Sequence, residues 1–297
     1  MLHLRTSPPT ALPRTNQPLR QAGVFLAITY VLALAIALAL PHAGIAPLIS
    51  IAVPLIAVAL TIPLCVPSGQ RRAVWAAVGF GWPRWLSLFV AVVGPVLVVG
   101  LSFAVAAAVG VLRFPGPGWG LGTSSLNFLI TTAVFAVVFL GEEIGWRGFL
   151  LLRLAEVTSG RWAAVVTGAC HAVFHLPLLV LTTTYQSAGS RWIVVPMVMV
   201  TLTLGGVWYG WLRAWSGSVW PVSVSHSGFN NIVEGFSGAA IATSPATMAY
   251  VTTETGVVTM VLMIILAGYL LVRRAEDFEK LRPYAVTATT QPDGGTE

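Results

Sequence analysis

Charge is what this sequence has least of. Asp, Glu, Lys and Arg together supply 9% of its 297 residues, against 56% hydrophobic residues. Soluble domains use charged residues at roughly 25%, so a water-soluble fold of this length is excluded. Cysteine is scarce too: Cys65 and Cys170 both lie inside apolar runs, which indicates neither a disulfide framework nor a thiolate metal site. Nor is there a basic face for nucleic acid. The formal net charge is +6, but the arginines punctuate hydrophobic runs, as a lipid boundary requires, and no nucleic-acid partner is expected.

What the chain does have is about eight apolar stretches of spanning length. They fall near 22–40, 46–66, 86–111, 124–156, 161–182, 191–214, 219–240 and 248–272. The pattern predicts an all-α, polytopic membrane protein. Arg5, Arg14 and Arg20 precede the first stretch, but its core of about 19 residues exceeds the roughly 7–15 of a cleaved signal, so an uncleaved anchor is expected. Residues 1–20, with Pro8, Pro9, Pro13 and Pro18, read as a disordered cytoplasmic tail. Residues 21–274 form one membrane domain, and 275–297 a cytoplasmic tail that is small and polar from 283 onward.

Arginine placement sets the orientation. With the N-terminus inside and the spans alternating, the cytoplasmic segments hold Arg5, Arg14, Arg20, Arg71, Arg72, Arg84, Arg147, Arg153, Arg161, Arg213, Arg273, Arg274, Lys280 and Arg282. The outer loops hold Arg113 and Arg191. This is the asymmetry of the positive-inside rule, and it puts both termini in the cytoplasm.

Three polar clusters interrupt the apolar segments: Glu142 to Arg147, His171 to His175, and His226 to Asn230. A polar side chain at mid-membrane costs about 2.5–3.5 kcal/mol on insertion scales, so three clusters at helical spacing indicate a site. Glu142 and His175 each lie about 16 residues from the turn at Thr158-Ser159-Gly160, roughly 24 Å along antiparallel helices, and so at equal depth. His226 and Asn230 fall roughly 13–20 Å from Ser216-Gly217-Ser218 along their own segment. The clusters are therefore expected to converge on one polar stratum, reached from the cytoplasmic side.

Within the first cluster, Glu143 and Arg147 are one turn apart and suit an ion pair. Glu142 is rotated by about 100° and is left to face something else. His171 and His175 share a face, as do His226 and Asn230. A carboxylate, imidazoles and an amide suffice to deprotonate water and stabilise an oxyanion. Each cluster alone has a plainer reading: a Glu–Arg packing lock, a hydrogen-bonded histidine, a helix-to-helix polar contact. Gly206 and Gly210 suggest close helix packing, and Trp208, Tyr209, Trp211 and Trp215 beside Arg213 an interfacial aromatic belt. Glu234 and Glu254 have no evident partner in the sequence, and His3 and His42 fall in a tail and a loop.

Glu142-Glu143-Ile144-Gly145-Trp146-Arg147-Gly148-Phe149-Leu150, Phe174-His175-Leu176-Pro177 and His226-Ser227-Gly228-Phe229-Asn230 resemble, in that order, the three motifs of CAAX prenyl endopeptidase-like intramembrane proteases, the CPBP or Abi family. The resemblance covers roughly 124–240. It implies an eight-helix membrane fold with a polar cavity open to the cytoplasm. Glu142 would activate the attacking water with help from His175, His226 and Asn230 would hold the oxyanion, and Glu143 and Arg147 would support them. The family usually carries an aromatic residue where this chain has His171. Glu142, His175 and His226 form a conceivable three-ligand zinc set. There is no His-Glu-x-x-His signature, and a glutamate-activated water accounts for the same residues, so no obligatory metal is favoured.

The expected function is an intramembrane endopeptidase in a bacterial plasma membrane, with membrane lipid and a peptide or protein substrate as partners. The family's namesake substrates are lipidated. The alternative is a non-catalytic immunity or peptide-binding protein using the same cavity. A transporter is disfavoured because no repeated half-chain pattern of interrupted helices occurs.

Overall fold

Backbone amides and carbonyls in lipid must bond within their own segment, and the apolar runs accordingly fold as helices. The computed structural model describes residues 17–115, 121–183, 185 and 188–281. The expected tails over 1–16 and 282–297 lie outside the described residues. The chain forms α1 (Pro18–Ala39), α2 (Ala46–Ser50), α3 (Val53–Cys65), α4 (Ser68–Ala77), α5 (Trp85–Ala108) and α6 (Leu121–Glu143). A π-helical segment, Ile144–Leu150, joins α6 to α7 (Leu151–Ala155). Then come α8 (Gly160–Leu181), α9 (Arg191–Ser216), α10 (Trp220–Ala239), α11 (Pro245–Val251), α12 (Val257–Arg273) and α13 (Ala275–Glu279). One short antiparallel bridge pairs Leu112 with Ala242 and Arg113 with Ile241.

The fold is an all-α polytopic membrane protein. Among the described residues, six helical segments are long and apolar enough to cross a bilayer: Pro18–Ala39, Ala46–Cys65, Trp85–Ala108, Ser125–Ala155, Gly160–Leu181 and Arg191–Ser216. Of the two other expected spans, Val257–Arg273 is apolar but has 17 residues. Trp220–Ala239 has 20 residues and carries the third polar cluster. Chain ends differ from expectation: helix α1 already begins at Pro18, and α13 docks within the 275–297 stretch, burying Asp277 and Phe278.

Membrane-length helices that follow one another in the chain alternate in direction, and contacts between helices fix the register of the site. At the α8–α9 crossing, a Cβ on Gly206 would come within 2.2 Å of the Gly168 Cα, so these backbones touch as the small-residue spacing suggested. Gly217, with φ 72°, ends α9 in the left-handed region and turns the chain into α10. Helix α10 runs antiparallel to α6, with Ser227 Oγ donating to the Thr132 carbonyl at 3.0 Å and Ser223 Oγ donating to that of Ala136. It runs parallel to α5, with Trp82 near Trp220 at one end and Phe103 against Phe236 at the other.

The aromatic run on α9 is not an interfacial belt. Trp208, Tyr209 and Trp211 are buried, because α8, α10 and α13 cover that face. Trp208 Nε1 donates to Ser225 Oγ at 2.8 Å, and Trp211 Nε1 to Asp277 Oδ2 at 3.0 Å. Among the described residues the exposed tryptophans are others: Trp82, Trp85, Trp162 and Trp192.

Candidate active site

The π-helical segment Ile144–Leu150 begins immediately after the two glutamates, within the first motif. A π turn is a common device at functional sites, because its extra residue re-aims the side chains on either side. Small residues let the segment sit close to its neighbours. A Cβ on Gly141 would meet the Ile51 carbonyl at 2.8 Å, and one on Gly145 would meet Pro54 at 2.4 Å.

Glu143 and Arg147 form the expected ion pair, with Arg147 Nη1 at 3.1 Å from both carboxylate oxygens and both side chains fully buried. His226 Nδ1 lies 2.8 Å from Glu143 Oε1. Since the paired Glu143 is ionised, that nitrogen carries the proton and donates, which turns Nε2 away from the pair. Tyr209 lies under the guanidinium, 4.8 Å from ring centroid to Cζ, and Phe139 stacks on His226 at 4.3 Å.

Glu142 points elsewhere, as the helical rotation predicts. Its Oε2 lies 2.8 Å from His171 Nε2, on α8. His171 Nδ1 in turn lies 3.3 Å from Arg147 Nη1. A guanidinium has only donors, so His171 Nδ1 accepts and its Nε2–H donates to Glu142. One turn further, His175 Nδ1 donates to the His171 carbonyl at 3.0 Å, leaving Nε2 without its proton and available as an acceptor.

These groups border one cavity of about 310 Å³, whose lining includes Glu142, His171, His175, His226 and Asn230. The structure thus brings all the sequence-derived site residues together: four on the cavity wall besides His171, and Glu143 and Arg147 behind them. It adds residues that the sequence did not assign to the site. Tyr185 stacks near His175, with ring centroids 6.1 Å apart, and Glu254, left without a role above, also lines the cavity. Phe139 and Tyr209 looked like ordinary apolar and interfacial residues, and only their contacts reveal them. Glu234 and His42 lie off the cavity; His42 Nδ1 sits 3.1 Å from Thr183 Oγ1.

The zinc set conceived from sequence is not the one that clusters. Among the described residues, Glu142, His171 and His175 offer ligand atoms within 4.8 Å of one another, without His226. This trio fits a cation poorly. To ligate through Nε2, His171 would have to protonate Nδ1, directing an N–H at the Arg147 guanidinium.

Fold and site together define a helical membrane protein with a buried glutamate–histidine centre inside the bundle. Residues 123–232 match the family model described as type II CAAX prenyl endopeptidase Rce1-like. The match supports an assignment to the CPBP, CAAX protease-like family and a CAAX-protease-like intramembrane endopeptidase. No curated protein matches the chain.

Proposed function

We propose that this protein hydrolyses a peptide bond inside the membrane with a water activated by Glu142. The observation that carries the reading is the Glu142 carboxylate, held by a 2.8 Å hydrogen bond from His171 on one oxygen, on the wall of a cavity shared with His175, His226 and Asn230. The bond immobilises the carboxylate and leaves its other oxygen for a water. His175 Nε2 accepts from the same water and orients its lone pair towards the substrate.

As the water oxygen bonds to the carbonyl carbon, its proton passes to Glu142 and the carbonyl π pair moves onto oxygen. Asn230 Nδ2 donates to that oxyanion, and His226 donates from Nε2 when it is an imidazolium. Collapse breaks the C–N bond, and the proton held on Glu142 goes to the departing amine. The products are an amine and a carboxylic acid, which keeps the second proton of the water until it is released to solvent, and Glu142 is restored.

The test compares newly formed peptide termini in membranes containing wild-type protein or Glu142→Gln at equal levels. Cleavages present only with wild type are expected. Retained cleavage in a folded, inserted Glu142→Gln protein would refute the assignment. No wild-type cleavage at all would favour a non-catalytic immunity or peptide-binding protein, which the largely apolar cavity wall also suits.

A further inference from the structure

The cavity wall carries a second carboxylate that the hydrolytic scheme does not use. Among the described residues, Glu142 and Glu254 are its acids, and it has no lysine or arginine. Arg147, behind the wall, is already paired with Glu143. Glu254 lies beyond the three motifs, in the connection between α11 and α12.

The turn that presents Glu254 is tightly built. Thr253, just before it, has φ 42°, a left-handed conformation that is costly for a β-branched residue. Side-chain bonds hold it there. Thr253 Oγ1 and Thr255 Oγ1 lie 2.9 Å apart, and Thr255 Oγ1 donates to the Ala249 carbonyl at 2.6 Å. Thr252 Oγ1 donates to the Met248 carbonyl at 2.8 Å. A Cβ on Gly256 would collide with the Thr252 carbonyl, so the turn closes only with glycine there. Strain of this kind persists where the surroundings over-determine it, and it concentrates at active sites and ligand clamps.

This turn is also fastened to the connection that supplies Tyr185. The Ser190 N–H donates to the Tyr250 hydroxyl of α11 at 2.5 Å. A Cβ on Gly189, whose φ is 87°, would meet the Tyr250 ring at 2.7 Å. Burial, with the Glu254 and Glu142 carboxylates close by, keeps the Tyr185 phenol protonated. Its hydroxyl is thus within electrostatic reach of both acids, while its ring stands 6.1 Å from that of His175. Glu254 therefore belongs to the same wall as the reacting groups.

Carboxylates on a wall without cations attract a positive charge. We propose that Glu254 selects the substrate by pairing with a lysine or arginine side chain near the scissile bond. Resting on the protease reading, this names the substrate class: an apolar polypeptide segment that carries a basic residue into the cavity. The methylene stem of such a residue suits the largely apolar wall, and its head the carboxylate.

The test is binding of peptides to the full-length Glu142→Gln protein in detergent, which keeps them uncut. The probes are short dansylated Leu/Ala peptides, amidated at the C-terminus, with lysine or norleucine at the centre. The lysine peptide should bind roughly 10–100-fold more tightly, the worth of a hydrogen bond to a charged group. Adding Glu254→Gln should erase that advantage, Glu254→Asp should keep most of it, and Glu254→Lys should favour a glutamate-centred peptide instead. Equal affinities for the lysine and norleucine peptides, or an advantage that survives Glu254→Gln, overturn the proposal. The first comparison needs no change at position 254, so it decides even where Glu254→Gln does not fold. Binding is read without cleavage, which separates the two readings. A lysine advantage with no cleavage by wild type would sink the protease reading and leave recognition by Glu254 standing.

Discussion

Arg147 Nη1 and His171 Nδ1 stand 3.3 Å apart across two helices, and this contact fixes the histidine's tautomer. Because arginine cannot accept a hydrogen bond, His171 must present Nε2–H to Glu142. The ion pair of Glu143 and Arg147 thereby does more than lock a helix. Through His171 it orients the neighbouring carboxylate, and through Glu143 it orients His226.

Replacing His171 by phenylalanine, the residue class usual in the family, should keep the fold and release Glu142 Oε2. Loss of one orienting bond should lower kcat by roughly 10–100-fold while leaving KM nearly unchanged. Steady-state cleavage assays on purified protein check this; wild-type kcat in the variant would mean that His171 only fills space.

Glu143→Ala should be far more damaging to stability than Glu142→Gln. It strands a fully buried guanidinium, and breaking such a pair typically costs about 3–5 kcal/mol. Thermal melting in detergent should show a large fall for Glu143→Ala and little change for Glu142→Gln.

Gly206→Leu should separate α8 from α9, since even a Cβ there would lie 2.2 Å from the Gly168 Cα. Overpacking of this kind costs about 1–3 kcal/mol or more. Gly23→Leu on α1, where a Cβ meets nothing within 4 Å, is the control and should melt like wild type.

Asp277 ties the last helix to α9, and its carboxyl is held down at about 2. Burial works against this, but hydrogen bonds from Lys280, Trp211 and Arg274 outweigh it. A depressed carboxyl stabilises the fold fully above its unfolded value of about 3.9, and the contribution fades as pH falls from there through about 2. Asp277→Asn should therefore melt lower than wild type at pH 7, by about 1–3 kcal/mol of stability. The difference should shrink steadily below pH 4; a gap independent of pH would rule out the charge as its source.

Metal chelation should leave cleavage intact, because His171 cannot ligate without turning an N–H on Arg147. Dialysis against a strong chelator, with metal content and initial rate followed together, checks this. Activity lost with one equivalent of zinc and restored by it would count decisively against the water-activation scheme.

Much was legible before any coordinates. Lipid leaves a helix no way to hide polar groups cheaply, so Glu142, His175 and His226 stood out, and helical rotation alone separated the roles of Glu142 and Glu143. Equal spacing from the turn set Glu142 level with His175; the structure bonds it to His171, one turn of α8 nearer the 158–160 turn. Tyr209 was misread because an aromatic near an arginine looks interfacial when only one helix is considered. Its packing under Arg147 depends on a neighbouring helix.

The sequence by itself determined which segments are helical and apolar, which residues are polar within them, and where the cations collect, because these are properties of single helices in a bilayer. Only the tertiary structure decided the tautomer of His171 and the enlistment of Tyr185, Phe139 and Glu254. Those depend on the rotation and relative height of helices far apart in the chain, which are set by close contacts such as Gly168 with Gly206 and Gly141 with Ile51.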